Sequence, residues 1–211
     1  MGIRLDSGMK HETTDVHDAS LRTNALPQTL KTEHLILRPW RPSDTEPFTA
    51  MSQDPEVMAH LLAFASQEAI ASWIQRQVDH FEKYGFGFWA LESRETGEFM
   101  GATGLLRISY EAHFTPAVEV GWRLARRFWG QGYVPEAARS ALSFGFENLG
   151  LSEIVANTVS ANHNSRRVME KLGMVRDPAD DFDHPLVPAD SPLRRQILYR
   201  LTRENWSRLR G

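Results

Sequence analysis

Arg127-Phe128-Trp129-Gly130-Gln131-Gly132-Tyr133 places an arginine and two spaced glycines between two patterned segments. Ahead of it, Val118-Glu119-Val120-Gly121-Trp122-Arg123-Leu124 alternates as a strand does. Behind it, Val134 to Asn148 reads as an amphipathic helix. A strand, a glycine turn and a helix in that order gather backbone N–H groups at a helix N-terminus, which accepts anions and phosphates above all. The glycines let main chain approach a ligand more closely than a side chain would allow. Taken alone, the turn reads equally well as plain structure. It lacks the Gly-Lys-Ser/Thr ending of a P-loop and the three-glycine dinucleotide fingerprint, which disfavours nucleoside triphosphate chemistry.

The elements that must position this turn follow from the rest of the pattern. Residues 1–28 are polar, without apolar periodicity, and are expected to form a flexible extension. His11 and His17 there offer no preformed metal site, and none is expected. Residues 29–211 are expected to form one domain. His34–Arg38, Phe86–Ser93, Phe99–Ser109, Val118–Leu124, Glu153–Val159 and Gln196–Leu201 read as six strands. Ser43-Asp44-Thr45-Glu46 has the capping-box pattern of a helix start. Ser66 opens a longer helix to about Tyr84, with Ile70, Trp73, Ile74, Val78 and Phe81 as a core stripe. A short helix carries Ser165, Val168, Met169 and Leu172 on one side and ends at Gly173; another runs from Arg203 to Leu209. Asp177–Pro192, with five acidic residues and four prolines, reads as a loop. Strands and helices mix without strict alternation, which predicts an α+β fold.

Composition narrows the function classes. Apolar residues are 41% and charged residues 24%, ordinary for a globular protein. A formal charge of −3 disfavours a dedicated nucleic-acid binder. The absence of cysteine removes thiolate metal sites and any cysteine nucleophile. No apolar run is long enough to span a membrane and no signal-peptide core is evident, so a cytoplasmic location is expected.

From Val118 to Met174 the chain resembles the GNAT superfamily of acyl-CoA-dependent N-acyltransferases. Its signature is Arg/Gln-x-x-Gly-x-Gly/Ala, and Arg127, Gly130 and Gly132 stand at those positions. Glu119-Val120-Gly121-Trp122, Gly132-Tyr133-Val134-Pro135-Glu136-Ala137, Asn162-His163-Asn164-Ser165 and Glu170-Lys171-Leu172-Gly173-Met174 are similar to the RimJ/RimL-type branch. Leu35-Ile36-Leu37-Arg38-Pro39 and Leu198-Tyr199-Arg200-Leu201 also fit, so the resemblance covers about residues 30–206. It implies a twisted, mostly antiparallel sheet flanked by helices, splayed between the fourth and fifth of the six strands. It further implies acetyl-CoA as co-substrate. The pantetheine arm would enter the splay beside unpaired backbone of Trp122, Arg123 and Leu124. The pyrophosphate would lie on the amides of Arg127, Gly130, Gln131, Gly132 and Tyr133. Asn162 would bond the pantetheine amides, although a simple N-cap is equally consistent. Arg166 and Arg167 would meet the adenosine phosphate, or stand as helix-surface charges.

Acyl transfer to an amine needs a group to take the amine's proton, stabilisation of developing charge on the carbonyl oxygen, and sometimes a proton for the leaving thiolate. With no cysteine, direct attack is expected. Glu119 is the expected general base: it shares a strand face with Gly121 and Arg123, and Gly121 leaves room for an acyl group. Partial burial would raise its pKa to a useful value; a surface carboxylate paired with Arg123 is the alternative. Many GNAT enzymes carry a tyrosine seven residues after the Asn162 position, where this chain has Met169. Ser165 is then the expected proton donor, or an ordinary first-turn helix serine; His163 ranks below it. The acceptor is expected to be a primary amine, on a protein N-terminus or a small molecule. The acidic loop and Phe86, Phe88 and Trp89 point to a cationic one. The second hypothesis is a non-catalytic acyl-CoA sensor, to which Met169 gives weight. The resemblance also implies a homodimer.

Overall fold

Short apolar runs bounded by glycines and prolines become strands in the computed structural model, which describes residues 28–210. The expected extension lies outside the described residues except for Gln28, whose carbonyl accepts the Trp89 indole N–H at 2.7 Å. Nine strands form: β1 (Leu30–Lys31), β2 (Leu35–Arg38), β3 (Phe88–Ser93), β4 (Phe99–Arg107), β5 (Val118–Leu124), β6 (Glu153–Thr158), β7 (Val175–Arg176), β8 (Phe182–Asp183) and β9 (Arg195–Thr202). Their order is β1-β2-β3-β4-β5-β6-β9-β7, with β8 also on β9. The two-residue strands β1, β7 and β8 are not among the six read from the sequence; two residues cannot show a period.

Every pairing is antiparallel except β5 with β6, which is parallel and meets at a single register point, Glu119 opposite Val155. Beyond that point β5 and β6 diverge, whereas β6 and β9 stay paired from Glu153 to Thr158. The sheet is therefore open at the expected place, within a mixed α+β fold.

Six α-helices accompany it: α1 (Thr45–Ser52), α2 (Pro55–Met58), α3 (Gln67–Tyr84), α4 (Tyr133–Ser143), α5 (His163–Lys171) and α6 (Arg203–Arg210). Ser66 caps α3 through its hydroxyl, which accepts the Ala69 N–H at 3.2 Å. The expected capping box at Ser43–Glu46 does not form. Asp44 instead accepts the Arg41 N–H at 2.7 Å and both Nη atoms of Arg38 at 2.7 and 2.8 Å. A buried guanidinium needs that carboxylate more than a helix end does. The helix expected through Asn148 is α4 to Ser143, followed by a π-helical turn, Phe144–Asn148. A Cβ on Gly145 would lie 2.6 Å from Ile154 Cδ1, so glycine admits the close approach of this turn to β6.

Two cores result. On one face, Phe48, Met51, Ile70 and Ile74 from α1 and α3 pack against Ala90, Phe99 and Ala102. On the other, α4, the π-turn, α5 and α6 cover Leu37, Trp89, Leu105, Val120 and Leu124. A smaller cluster of Phe114, Val155, Phe182 and Leu198 closes the sheet on the Glu119 side.

Candidate active site

The Arg127–Tyr133 turn is built by strand end, 3-10 turn and helix start in immediate succession. Ala125 pairs back to Met100 at 2.9 Å, and a 3-10 turn at Arg126–Phe128 reverses the chain. Gly130 and Gly132 then take φ of +77° and +87°, the left-handed region that side chains avoid. Gly132 is the N-cap of α4 and receives no side-chain cap. Among the described residues, no hydrogen bond engages the amides of Gly130, Gln131 and Gly132. A Cβ at either glycine would meet nothing within 4 Å, so the turn stands clear of other side chains there, at the positive end of α4. The Gln131 side chain donates from Nε2 to the Arg127 carbonyl at 3.0 Å and holds the turn, its backbone N–H remaining unbonded. Arg127 itself points to Glu98 at 2.5 Å, across Phe128, so its guanidinium braces the turn against the β3–β4 hairpin. Tyr133 packs edge-on against Phe128 and His34.

Glu119 stands at the one point where β5 and β6 still touch. Burial pushes its carboxyl up to about 7, against a bond from Asn157 Nδ2 at 3.0 Å that favours the charged form. The expected alternative, pairing with Arg123, does not occur; four residues along a strand place the two Cα atoms roughly 13 Å apart. Tyr110 lies near enough for the Glu119 charge to add to burial in holding its phenol well above the usual range. Its buried hydroxyl has no partner among the described residues.

Ser165 lies on the opposite face of the opening. Asn162 caps α5: its Oδ1 accepts the Ser165 N–H at 3.2 Å and its Nδ2 donates to Thr158 at 3.0 Å. The cap is thus real, and it leaves one amide hydrogen of Asn162 for a ligand. The Trp122 indole donates to Ser165 Oγ at 3.3 Å, which leaves the hydroxyl proton free to point elsewhere. Leu124 is not wholly available to a ligand as expected, because its carbonyl accepts the Trp129 indole N–H at 2.7 Å. The free turn amides, the open glycine cradle and the splayed strands together fit the diphosphate and arm of coenzyme A.

The acetyltransferase (GNAT) domain family matches residues 34–175, two thirds of the chain. The chain belongs to the GNAT acetyltransferase family. A relative from Aspergillus fumigatus, FsC-acetyl coenzyme A-N(2)-transacetylase, is 32% identical over 86% of this chain and 79% of its own length. The uncharacterized N-acetyltransferase YoaA of Bacillus subtilis is 29% identical over 70% and 83%. Among solved structures, the acetyltransferase from Agrobacterium tumefaciens superposes with a TM-score of 0.66 at 26% identity, covering 82% of this chain and 94% of that one. This GNAT enzyme is accordingly an acyl-CoA-dependent N-acetyltransferase, from a family that uses acetyl-CoA.

Within the GNAT frame, some of the other residues singled out in the sequence stand as expected and others do not. Met169 is 2% exposed and packed in the core with Leu172 and Met174, so its position offers no proton to the opening. Arg167 is exposed on α5, while Arg166 donates to the Ser160 carbonyl at 3.2 Å. The room expected beside Gly121 is filled: a Cβ there would lie 2.6 Å from Phe88 Cζ, so the Phe88 ring covers the glycine. Phe86 and Trp89 are fully buried core residues rather than parts of an acceptor surface. The acidic loop is largely paired, with Asp180 to Arg200 at 2.6 Å, Asp181 to Arg176, and Asp183 to Arg195 at 3.3 Å. Asn157 and Tyr110 were not singled out from sequence. Asn157 lies two residues beyond Val155, hence on the same strand face; register alone would have exposed it. No helix among the described residues is long and apolar enough to cross a membrane, and none of their side chains cluster as a metal site would require.

Proposed function

We propose that residues 29–211 act as one RimJ/RimL-type domain that moves an acetyl group from acetyl-CoA directly to a primary amine. The observation that carries this is the placement of Glu119 at the last point where β5 and β6 pair, bonded by Asn157 at 3.0 Å, where burial pushes its carboxyl up to about 7. Acetyl-CoA supplies an activated thioester. Glu119, largely ionised above its pKa, takes the proton that an ammonium must lose before it attacks. Asn157 orients the carboxylate through its 3.0 Å bond. Ser165 holds a hydroxyl proton on the opposite face, fixed by Trp122 and the Asn162 cap, where a departing sulfur can receive it. The amides of Gly130, Gln131 and Gly132 hold the diphosphate. A nitrogen acceptor agrees with the N(2) in the name of the Aspergillus relative.

Incubation with acetyl-CoA and a panel of amines and peptides, following free thiol and product mass, tests this reading. Amine-dependent thiol release should fall by about 100-fold or more in Glu119→Gln with coenzyme A affinity retained. Full turnover in that variant would remove Glu119 from the chemistry. Binding without turnover of any amine would favour the acyl-CoA sensor.

A further inference from the structure

Arg123 lies on the same face of β5 as Glu119, two residues beyond Gly121. Its guanidinium sits 5.5 Å from the Phe48 ring, 5.1 Å from Phe64 and 5.5 Å from Trp73. Phe48 and Trp73 stack on each other at 4.8 Å, so the cage is itself packed. Arg123 Nη1 is buried with no partner, and no side chain or carbonyl among the described residues bonds the guanidinium. Opposite β5, the neighbour in register is Ala102, and beside that Ala90, so the strands next to Arg123 offer its guanidinium no polar side chain at this level. Between Arg123 and Glu119 the Phe88 ring lies over Gly121 and packs edge-on against Trp73 at 6.0 Å.

An unpaired guanidinium among aromatic rings is a costly thing to keep. Cation–π attraction recovers only part of what a buried donor without an acceptor costs. Burial pulls its pKa down to about 10, so the group stays cationic at neutral pH. Among the described residues no acid pairs with it. Glu119 is engaged by Asn157, and Asp180, Asp181 and Asp183 are taken by arginines elsewhere. A planar fork of donors pairs bidentately with the two oxygens of a carboxylate.

The geometry points to an acceptor that carries its amine and a carboxylate at opposite ends of an apolar middle. The amine meets Glu119, the middle lies over Phe88, and the carboxylate pairs with Arg123. This rests on the proposed amine acetylation and names its substrate class; it replaces the cationic acceptor suggested by the acidic loop.

The test uses para-(aminomethyl)benzoate, its carboxamide and its phosphonate counterpart, with rates and equilibrium binding measured separately on the full chain. The carboxylate should exceed the carboxamide by about 10- to 100-fold in both kcat/KM and affinity, as a charge-assisted pair requires. Arg123→Met should abolish that preference, and Arg123→Lys, which keeps charge but loses the fork, should weaken it. Glu119→Gln should lose turnover yet keep the binding preference. Equal affinity for carboxylate and carboxamide in the unmodified enzyme, a preference that survives Arg123→Met, or a preferred phosphonate overturns the proposal. A lower Tm in Arg123→Met with an unchanged preference marks Arg123 as a packing residue, again overturning it. Turnover untouched in Glu119→Gln defeats the proposed chemistry instead, while the binding data still judge the carboxylate.

Discussion

Glu119 is covered by neighbours that give it little besides one amide. Asn157 donates to it, while the cluster of Phe114, Val155 and Phe182 excludes water on its side of the sheet. The balance raises its pKa to about 7. As the base must be ionised, kcat/KM should rise with pH, half-complete near 7, and fall below it; a profile flat between pH 5 and 8 would contradict the role. The stability effect has the opposite sign. Between the ordinary value of 4.5 and about 7, the folded state holds a proton that the unfolded chain has released, so stability falls as pH rises. Glu119→Gln should therefore gain about 2–3 kcal/mol relative to the parent at pH 8 and little at pH 4, measured by urea unfolding. A variant destabilised equally at both values would show that burial is not the cause.

Elements, not single residues, set the turn and the strand ends. Gly132→Ala and Gly150→Ala force alanine into nearly the same left-handed backbone, φ +87° and +72°, and neither added Cβ meets anything closer than 3.8 Å. Each should lose about 1 kcal/mol of stability, but Gly132→Ala alone should weaken coenzyme A binding, by calorimetry. Equal affinities would remove the diphosphate from this turn. At the other end of the sheet, Asp44→Ala strips a 4% exposed Arg38 of its bidentate partner, leaving Glu92 at 2.6 Å. It should cost about 3 kcal/mol in unfolding experiments. The sequence made the α3 cap at Ser66, the meander β3–β4–β5 and the glycine turn legible, because each rests on local periodicity or a local conformational demand. It misplaced the Ser43 cap because Asp44 answers to Arg38, six residues back in the chain but adjacent in space.

At the scale of the molecule, the splay between β5 and β6 puts Glu119 on one face and Ser165 on the other. Donor and acceptor can thus approach the same gap from opposite sides. The family motifs made this opening readable. The proposed acceptor half was not, since Phe88, Phe64, Tyr110 and Arg123 come from four separate segments of the chain. Alternation placed Arg123 on the Glu119 face, yet nothing local told that α1, α3 and the loop ahead of α3 would each bring a ring to it.

The lone rung between β5 and β6 has a mechanical corollary. With one ladder register point joining β5 to β6, the two halves of the sheet are expected to rock about Glu119 and Val155 as about a pin. A wedge seated in the gap would quiet that rocking, and main-chain amides past Gly121 should then exchange hydrogen more slowly with coenzyme A than without. Those of β4, paired on both edges, should hardly notice. The residue proposed to take the proton would thereby also be the pivot, so occupancy of the gap would be felt first where that chemistry begins.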